Sequence, residues 1–306
     1  MEVSSVENTN ADEPLYDRSR LRNRLSYAGL SLRRSPVGIA GIILVCVVLF
    51  LAAFGPYVSP HDPAQHDLRA RFQPPGFSSE QGTYVMGTDQ LGRDILSRLI
   101  AGCRVSVIVG TISVVISGAI GVTYGLIAGF VGGRLDTFLM RIADALLGIP
   151  FIILVIAVSG VVGSGLLTLI LILGLTGWVT YSRVVRSEVL VVRELDYVTA
   201  ARVIGQSSRK IMRKHVLPNV MASVIVLAAL QVGVAILAES SLSFLGLGVQ
   251  PPTITWGLML ADGRQYLGSA WWMATFPGVA ITLTVLGVVF IGDWLRDLLD
   301  PRMRGV

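Results

Sequence analysis

The stretch that decides the fold reads Asp196-Tyr-Val-Thr-Ala-Ala-Arg-Val-Ile-Gly205 and continues through a mostly polar and basic run to His215-Val-Leu-Pro218. Apolar segments of membrane-spanning length lie on both sides of it. Between Arg183 and Pro218 the chain carries six Arg and two Lys. Because positive charge beside apolar spans marks the cytoplasmic side of a bilayer, this pattern predicts a structured cytoplasmic loop within a polytopic membrane protein.

The composition agrees with that class. Of the 306 residues, 53% are hydrophobic and 15% are charged, whereas about a quarter are charged in soluble domains. The net charge of +5 comes mostly from Arg and Lys beside apolar spans, where they set topology and meet anionic lipid, so we do not expect nucleic-acid binding. Cys46 and Cys103 are far apart in sequence, and we expect neither a structural disulfide nor a metal site.

Six apolar segments reach the roughly twenty residues that a transmembrane helix needs. They lie at about 37–58, 104–131, 138–162, 165–185, 219–246 and 271–292, and Pro150 interrupts the third. The sequence therefore predicts an all-α integral membrane protein with six transmembrane helices. Basic residues are concentrated at 18–34, at 183–218 and at Arg296, Arg302 and Arg304. This asymmetry predicts cytoplasmic N- and C-termini, with 59–100 and 247–270 outside.

Three regions follow from this division. Residues 1–35 are predicted to be a cytoplasmic N-terminal tail, partly disordered, rather than a cleavable signal, because the first apolar run is too long for one. Residues 36–101 comprise the first transmembrane helix and an extracytoplasmic loop. Residues 102–306 comprise a five-helix core that includes a cytoplasmic coupling loop at 186–218.

The basic loop is interpreted as two short helices joined at a glycine. Asp196 is the candidate N-cap of the first and Ser207 of the second. The adjacent Ala200 and Ala201 present a surface without bulk, suited to a groove on another protein, and Gly205 permits a left-handed turn. The alternative is an ordinary amphipathic segment at the membrane interface.

Charged residues inside the spans are candidate functional positions, because charge in hydrocarbon requires a partner or water. Arg141 and Asp144 lie three apart in the third span and are expected to pair or to reach the interface. Glu239 lies deep in the fifth span. It either faces a solute path, where it meets a substrate amino group, or makes a structural hydrogen bond.

Glycines at a four-residue spacing form a stripe on the second span: Gly121, Gly125, Gly129 and Gly133. Such stripes allow helix backbones to approach closely in lipid. Packing within this chain is the favoured interpretation, and a surface lining the pathway is the alternative.

The chain carries no hydrolytic or redox constellation. It lacks the Gly-x-x-x-x-Gly-Lys-Ser/Thr loop, so it does not bind ATP by that device. His61 and His66 lie five apart in a Pro-rich loop without a third ligand nearby, and we interpret them as solvated loop histidines rather than metal ligands.

The basic loop resembles the cytoplasmic coupling segment of bacterial ABC importer permeases, which reads Glu-Ala-Ala-x-x-x-Gly and ends in hydrophobic-x-Leu-Pro. Thr199 stands where that motif has Glu, which removes an ion pair with the ATPase but not the docking shape. The resemblance places the ATPase-coupling surface on the following residues: Thr199, Ala200, Ala201, Gly205, His215, Leu217 and Pro218.

Other stretches are similar to the second, C-type permease of dipeptide and oligopeptide importers. They include Ser240–Gly248, Pro251-Pro252, and the segment from Gly292 to Arg302. A further match supplies an outer signature with these residues: Gly87, Thr88, Asp89, Gly92, Arg93 and Asp94.

The residues around the outer signature predict an amphipathic helix over 87–98. Asp89 is its N-cap, and one apolar face carries Leu91, Ile95 and Leu99. Arg93 and Asp94 face away from it and are available to a binding protein. The alternative is a lid packed on the helical bundle.

The resemblance implies a type I ABC importer permease fold and a non-enzymatic subunit that moves peptides inward by alternating access. It implies a homologous second permease, two ATPase subunits that hold ATP and Mg, and an extracytoplasmic substrate-binding protein, in the bacterial inner membrane. No cofactor is expected on this chain. Nickel-complex or glutathione-like cargo remains open, and from other classes so do an ATP-independent secondary carrier and a membrane scaffold that transports nothing.

Overall fold

The computed structural model describes residues 31–32, 35–80 and 82–299. Its helices are α1 Pro36–Val58, α2 Ile95–Val131, α3 Gly133–Leu147, α4 Phe151–Val162, α5 Leu166–Val192, α6 Asp196–Val203, α7 Ser208–Ile211, α8 Leu217–Phe244, α9 Trp256–Gly263 and α10 Trp272–Leu299. Short 3₁₀ turns at Leu68–Ala70 and Arg264–Tyr266, a π-helical turn at Met212–Val216, and an antiparallel hairpin of β1 Phe77–Ser79 and β2 Gly82–Tyr84 complete the described elements. Apart from residues 31–32 and 35, the predicted N-terminal tail lies outside the described residues, as do Arg302 and Arg304.

Five of the six predicted spans correspond to single helices, and the third corresponds to a bent pair of helices. Helices α1, α2, α5, α8 and α10 are each long and apolar enough to cross a membrane, and α3 and α4 form a sixth candidate as a pair bent by 82°. The break between α3 and α4 includes Pro150, which lacks the N–H that a continuous helix would use at that position. The chain is therefore an all-α multi-pass membrane protein.

Several span boundaries differ from the predicted ones, most clearly in α2, in α5 and in α10, which continues to Leu299. Helix α2 begins at Ile95 and runs for 37 residues, so it is about 55 Å long and exceeds a hydrocarbon core of roughly 30 Å. Helix α5 continues to Val192, so the first part of the predicted 186–218 loop is helical. Hydropathy detects the apolar part of such helices and misses their polar extensions. The expected division at residue 101 falls inside α2.

The glycine stripe on α2 packs against α5, as the favoured interpretation predicted. A Cβ atom on Gly125 would lie 2.5 Å from the carbonyl oxygen of Ser182, and one on Gly129 would lie 2.9 Å from the Cβ of Val189. Both distances are too short for any side chain, so these glycines set the close approach of the two helices. Gly133 begins α3 and has open space around it, so it does not belong to this contact.

Helix α3 is attached to α5 by ion pairs. The Arg186 guanidinium donates to both carboxylate oxygens of Asp136, at 2.5 and 2.6 Å. Arg183 of α5 lies 2.5 Å from Asp144. The expected pair between Asp144 and Arg141 is therefore not formed. Arg141 is exposed. The sequence spacing favoured a pair within α3, whereas the packing of α5 beside α3 supplies a closer cation.

The bundle has two distinct ends. At one end, Nη1 of Arg193 donates to the carbonyl of Gly129 at 2.8 Å, which joins the ends of α5 and α2. We call this end, which contains α6 and α7, the basic end. At the opposite end, the indole of Trp272 donates to the carbonyl of Thr88 at 3.1 Å. We call it the distal end; it contains the loop 59–94 and α9.

Candidate coupling and solute-contact sites

The elbow at the basic end consists of α6, the turn at Gly205 and α7. Asp196 was expected to cap α6, but it is the first helical residue, and the extended Leu195 precedes it as the cap. Ser207 occupies the cap position of α7, but its side chain makes no capping hydrogen bond. Both short helices are therefore supported by packing more than by side-chain caps.

Gly205 adopts the predicted left-handed conformation, with φ of +80°. The backbone N–H of Gln206 donates to the carbonyl of Ala201 at 3.1 Å, which is the six-to-one bond of a Schellman helix end. Nothing lies within 4 Å of the position that a Cβ on Gly205 would occupy. The glycine is thus needed for its backbone angle and not for space.

The base of the elbow is buried in the chain's own core. Ala201 is 4% exposed and packs in a cluster with Val198 and Ile211 of the elbow and with Val185 and Val189 of α5. The predicted two-alanine docking face is therefore wrong in part. Adjacent helical residues point about 100° apart, so only one of the two alanines faces outward.

The outward surface of the elbow is more apolar than expected. Thr199 and Ala200 are exposed, and beside them Val203 and Ile204 are 81% and 73% exposed. Sequence reasoning missed this pair. Its signal was two adjacent branched apolar residues just before a turn glycine, in a loop rich in basic residues.

The remaining coupling candidates lie in the π-helical turn and at the start of α8. Nε2 of His215 is 3.2 Å from Oε1 of Gln206, which connects the π-helical turn to the Gly205 turn. Leu217 is half-buried, and Pro218 lies in the first turn of α8, where its missing N–H is tolerated. The structure brings all seven candidates to one end of the bundle, with His215 and Leu217 as supports of the elbow.

The outer signature forms a compact loop and not the predicted helix. Gly87 and Gly92 have φ of +78° and +76°, which a right-handed helix excludes. A Cβ on Gly92 would overlap the carbonyl of Asp67. The helix instead starts after Asp94, whose carboxylate accepts from the backbone N–H of Ser97 at 2.9 Å.

The acidic residues of the outer signature are internal. Asp89 is 5% exposed and Asp94 2%. One oxygen of Asp89 accepts from the N–H groups of Leu91 and Arg93, and the other lies 2.6 Å from Nε of Arg93 and 3.6 Å from Nε of Arg98. The loop is therefore the lid packed on the bundle that the sequence analysis gave as the alternative. Asp94, which was expected to be available to a binding protein, is buried instead.

His61 belongs to the same loop structure and is not solvated, contrary to expectation. Its ring stacks on Tyr84 with centroids 4.7 Å apart, and its Nδ1 lies 3.4 Å from Oδ2 of Asp94. Folding of the Pro-rich loop onto the start of α2 encloses it. His66 is exposed, as predicted.

Glu239 is fully buried within a polar network that connects α8 to α9. Its carboxylate accepts from the hydroxyl of Ser243 at 2.8 Å and from that of Ser240 at 3.3 Å. Thr255, the N-cap of α9, supplies a further side-chain hydrogen bond. Next to it, the indole of Trp256 donates to the carbonyl of Leu99 at 2.8 Å. This arrangement fits a structural carboxylate and not a group that faces a solute path.

Comparison with known proteins gives a consistent result over the chain. The family model described as binding-protein-dependent transport system inner membrane component matches residues 121–305, and that described as the N-terminal TM domain of oligopeptide transport permease C matches residues 22–75.

Curated relatives align over most of the chain. It is 41% identical to the di/tripeptide transport system permease protein DppC of Pseudomonas aeruginosa (strain UCBPP-PA14), over 87% of this chain and 88% of the relative. It is 40% identical to the dipeptide transport system permease protein DppC of Bacillus subtilis (strain 168), over 92% of this chain and 88% of the relative. It is 38% identical to the oligopeptide transport system permease protein OppC of the same organism, over 90% of this chain and 89% of the relative.

Proposed function

Because the chain belongs to the family of binding-protein-dependent transport system inner membrane components, we propose that it is a permease subunit of an ATP-driven importer of dipeptides or oligopeptides. It moves the solute inward by alternating access between two conformations. Three relatives support the peptide cargo, since all three are named as peptide transport permeases. A nickel complex or a glutathione-like solute is the alternative cargo within the same class.

The single structural observation that favours a driven subunit is the exposed apolar tip of the elbow. Val203 and Ile204 lie at the basic end, on a short helix whose other face is buried against α5 and α8. An apolar surface held on a rigid base is suited to insertion into a groove of a partner. We assign that groove to an ATPase subunit, so that ATP-driven movement of the partner displaces the elbow.

The assembly that this proposal requires has more than one subunit. It contains a homologous second permease, two ATPase subunits that hold ATP and Mg, and a substrate-binding protein on the distal side. The positive-inside rule supports a cytoplasmic basic end with cytoplasmic termini. Lipid surrounds the exposed apolar faces of α1 and α4, and this chain needs no cofactor of its own.

The test is reconstitution of the complete complex in proteoliposomes, with its binding protein on one side and ATP on the other. Accumulation of radiolabelled dialanine is compared with that of glutathione and of a nickel complex. We expect peptide accumulation that requires ATP. Accumulation without ATP would favour a secondary carrier, and selective accumulation of nickel or glutathione would correct the cargo.

A pair of variants tests the elbow in the same system. Ile204→Asp places a charge on the proposed contact and should abolish both uptake and recovery of the ATPase subunits. Leu68→Asp places the same charge on another exposed apolar side chain, 66% exposed in the distal loop, and should preserve ATPase recovery. Equal ATPase recovery with both variants would exclude the elbow tip as the docking surface.

A further inference from the structure

A cavity of about 320 Å³ opens at the distal end, where α8 ends and α9 follows. It is lined by Gln90 of the outer loop, by Phe244 and Gly246 at the end of α8, and by Asp262, Arg264 and Gln265 at the end of α9. Its volume lies at the small end of the range of ligand pockets, about 300–1,000 Å³. Groups of both charge signs lie on its wall, which distinguishes it from an ordinary packing defect.

The acidic side of the cavity has an incompletely balanced carboxylate. Arg93 and Arg98 are both engaged by Asp89, at 2.6 and 3.6 Å. Asp262 has no ion pair within 4 Å among the described residues. Burial raises the pKa of the Asp262 carboxyl, while the more distant guanidinium groups of Arg98 and Arg93 oppose that rise. A cation placed in the cavity would supply the missing close partner.

Gln90 supports that carboxylate from the outer signature loop. Its side chain makes a hydrogen bond with Asp262, yet its Oε1 is buried and has no hydrogen-bond partner among the described residues. Because that oxygen is enclosed by protein, Gln90 acts on the cavity only through its hydrogen bond to Asp262. The carboxylate that it supports is suited to a group with several N–H donors, such as an ammonium.

The basic side of the cavity is formed by Arg264. Its guanidinium lies over the ring of Phe244, 5.1 Å from the centroid, which orients the side chain. The guanidinium makes no ion pair within 4 Å with the described residues, so its donors remain available to a carboxylate. A fork of N–H donors is the geometry that binds a carboxylate with two parallel hydrogen bonds.

We propose that this cavity is a binding site for a short zwitterionic peptide, whose terminal ammonium is received by Asp262 and whose terminal carboxylate is received by Arg264. The inference rests on the proposed function and adds a solute contact to it within this subunit. The site lies on the face where a solute released by a binding protein would enter. It also assigns the solute-sensing role to Asp262 and not to Glu239, which the Ser and Thr hydroxyls already satisfy.

The test uses protection of a cysteine in the cavity. Gln265→Cys is introduced into a background with Cys46→Ala and Cys103→Ala, in membranes that hold the complete complex without its binding protein. The rate of alkylation by an impermeant maleimide is measured with increasing dialanine, or with dialanine acetylated at the amino end and amidated at the carboxyl end. We expect dialanine to slow the reaction and the doubly blocked peptide to have no effect.

Asp262→Asn and Arg264→Gln are then added singly. Each should raise the half-protecting dialanine concentration about tenfold, as expected for loss of one charge-assisted hydrogen bond. The matched controls are Glu80→Gln and Arg69→Gln, exposed charges elsewhere in the distal loop, which should leave protection unchanged. Protection by the blocked peptide equal to that by dialanine, unaltered protection in Asp262→Asn, or no protection at all would each overturn the inference.

The outcome is separable from that of the proposed function. If the wild-type complex accumulates dialanine in proteoliposomes but dialanine does not protect position 265, only the cavity assignment fails. If the wild type accumulates no peptide, the proposed cargo fails whatever the alkylation result.

Discussion

At the scale of single residues, the buried carboxylate of Glu239 shows how a charge is accommodated within an apolar helix. Three hydroxyl groups satisfy it, from Ser240, Ser243 and Thr255. Two of these belong to the same helix, and the third caps the next one. The carboxylate therefore connects the end of α8 to the start of α9. Helix α9 in turn forms part of the cavity wall.

Glu239→Ala should destabilise the subunit, because removal of the carboxylate leaves three buried hydroxyls without their acceptor. A buried polar group left unsatisfied costs about 1–3 kcal/mol. We expect a lower melting temperature and a lower yield of the assembled complex in detergent, with little change in uptake per assembled complex. Glu80→Ala, on the exposed loop, is the control. Normal stability combined with loss of uptake would instead identify Glu239 as a pathway charge.

Part of this network was accessible from the sequence. A carboxylate in an apolar run predicts a buried partner, and Ser240 and Ser243 are near enough in sequence to be candidates. Thr255 was not predictable, because its approach depends on the path of the connection after α8. The outer signature failed for a related reason. The spacing of Leu91, Ile95 and Leu99 suits a helix. The close contact of Gly92 with Asp67, however, goes with a positive φ at Gly92, which a right-handed helix does not allow.

At the scale of elements, the elbow combines a buried base with an exposed tip. Residues that adjoin in sequence, such as Ala200 and Ala201, belong to different surfaces of it. The sequence motif contains both alanines and does not distinguish the buried one from the exposed one. Only the packing of α6 on α5 separates the residues that hold the elbow from those free to contact a partner.

Ala200→Trp and Ala201→Trp should therefore have different effects. Ala201→Trp forces a large ring into the core beneath α6, where overpacking costs about 1–3 kcal/mol or more, so we expect reduced levels of the inserted subunit. Ala200→Trp adds the same volume at the surface and should leave insertion normal while reducing ATPase recovery. Membrane levels by immunoblot and ATPase recovery by pull-down separate the two. Normal insertion of Ala201→Trp would show that the base tolerates repacking.

The turn of the elbow offers a test of backbone conformation alone. Gly205→Val places a β-branched residue at φ of +80°, where a left-handed conformation costs about 1–2 kcal/mol or more. Because no atom of this chain lies within 4 Å of the added Cβ, any effect on the subunit's own conformation comes from the backbone. We expect loss of ATPase recovery at normal membrane levels.

Gly205→Asn is the matched variant, since Asn adopts left-handed conformations readily. It should retain most of the ATPase recovery and uptake. If both variants behave as wild type, the angle of the Gly205 turn is not required for docking.

At the scale of the whole molecule, the number and order of the spans follow from hydropathy and charge, whereas their ends and pairings do not. Arg183 and Arg186 were counted with the basic loop, although both belong to α5 and attach α3 through Asp144 and Asp136. Sequence spacing alone does not identify partners contributed by a neighbouring helix.

The orientation in the membrane is testable with two single cysteines, in a background without Cys46 and Cys103. Ser78 lies in the distal loop and Ser207 in the elbow, and both are exposed. An impermeant thiol reagent applied to intact cells should label Ser78→Cys and not Ser207→Cys, because positive charge is retained in the cytoplasm. Permeabilised cells provide the control, since both positions should then react. The reverse pattern in intact cells would invert the topology.

The close glycine contact between α2 and α5 has a mechanical consequence. Helices whose backbones approach closely along a stripe resist sliding, so we expect α2 and α5 to move together. The ion pairs of Arg183 and Arg186 connect α3 to them. We therefore expect a displacement imposed at the elbow to reach these helices, and the bend at Pro150 between α3 and α4 to act as the hinge that absorbs it.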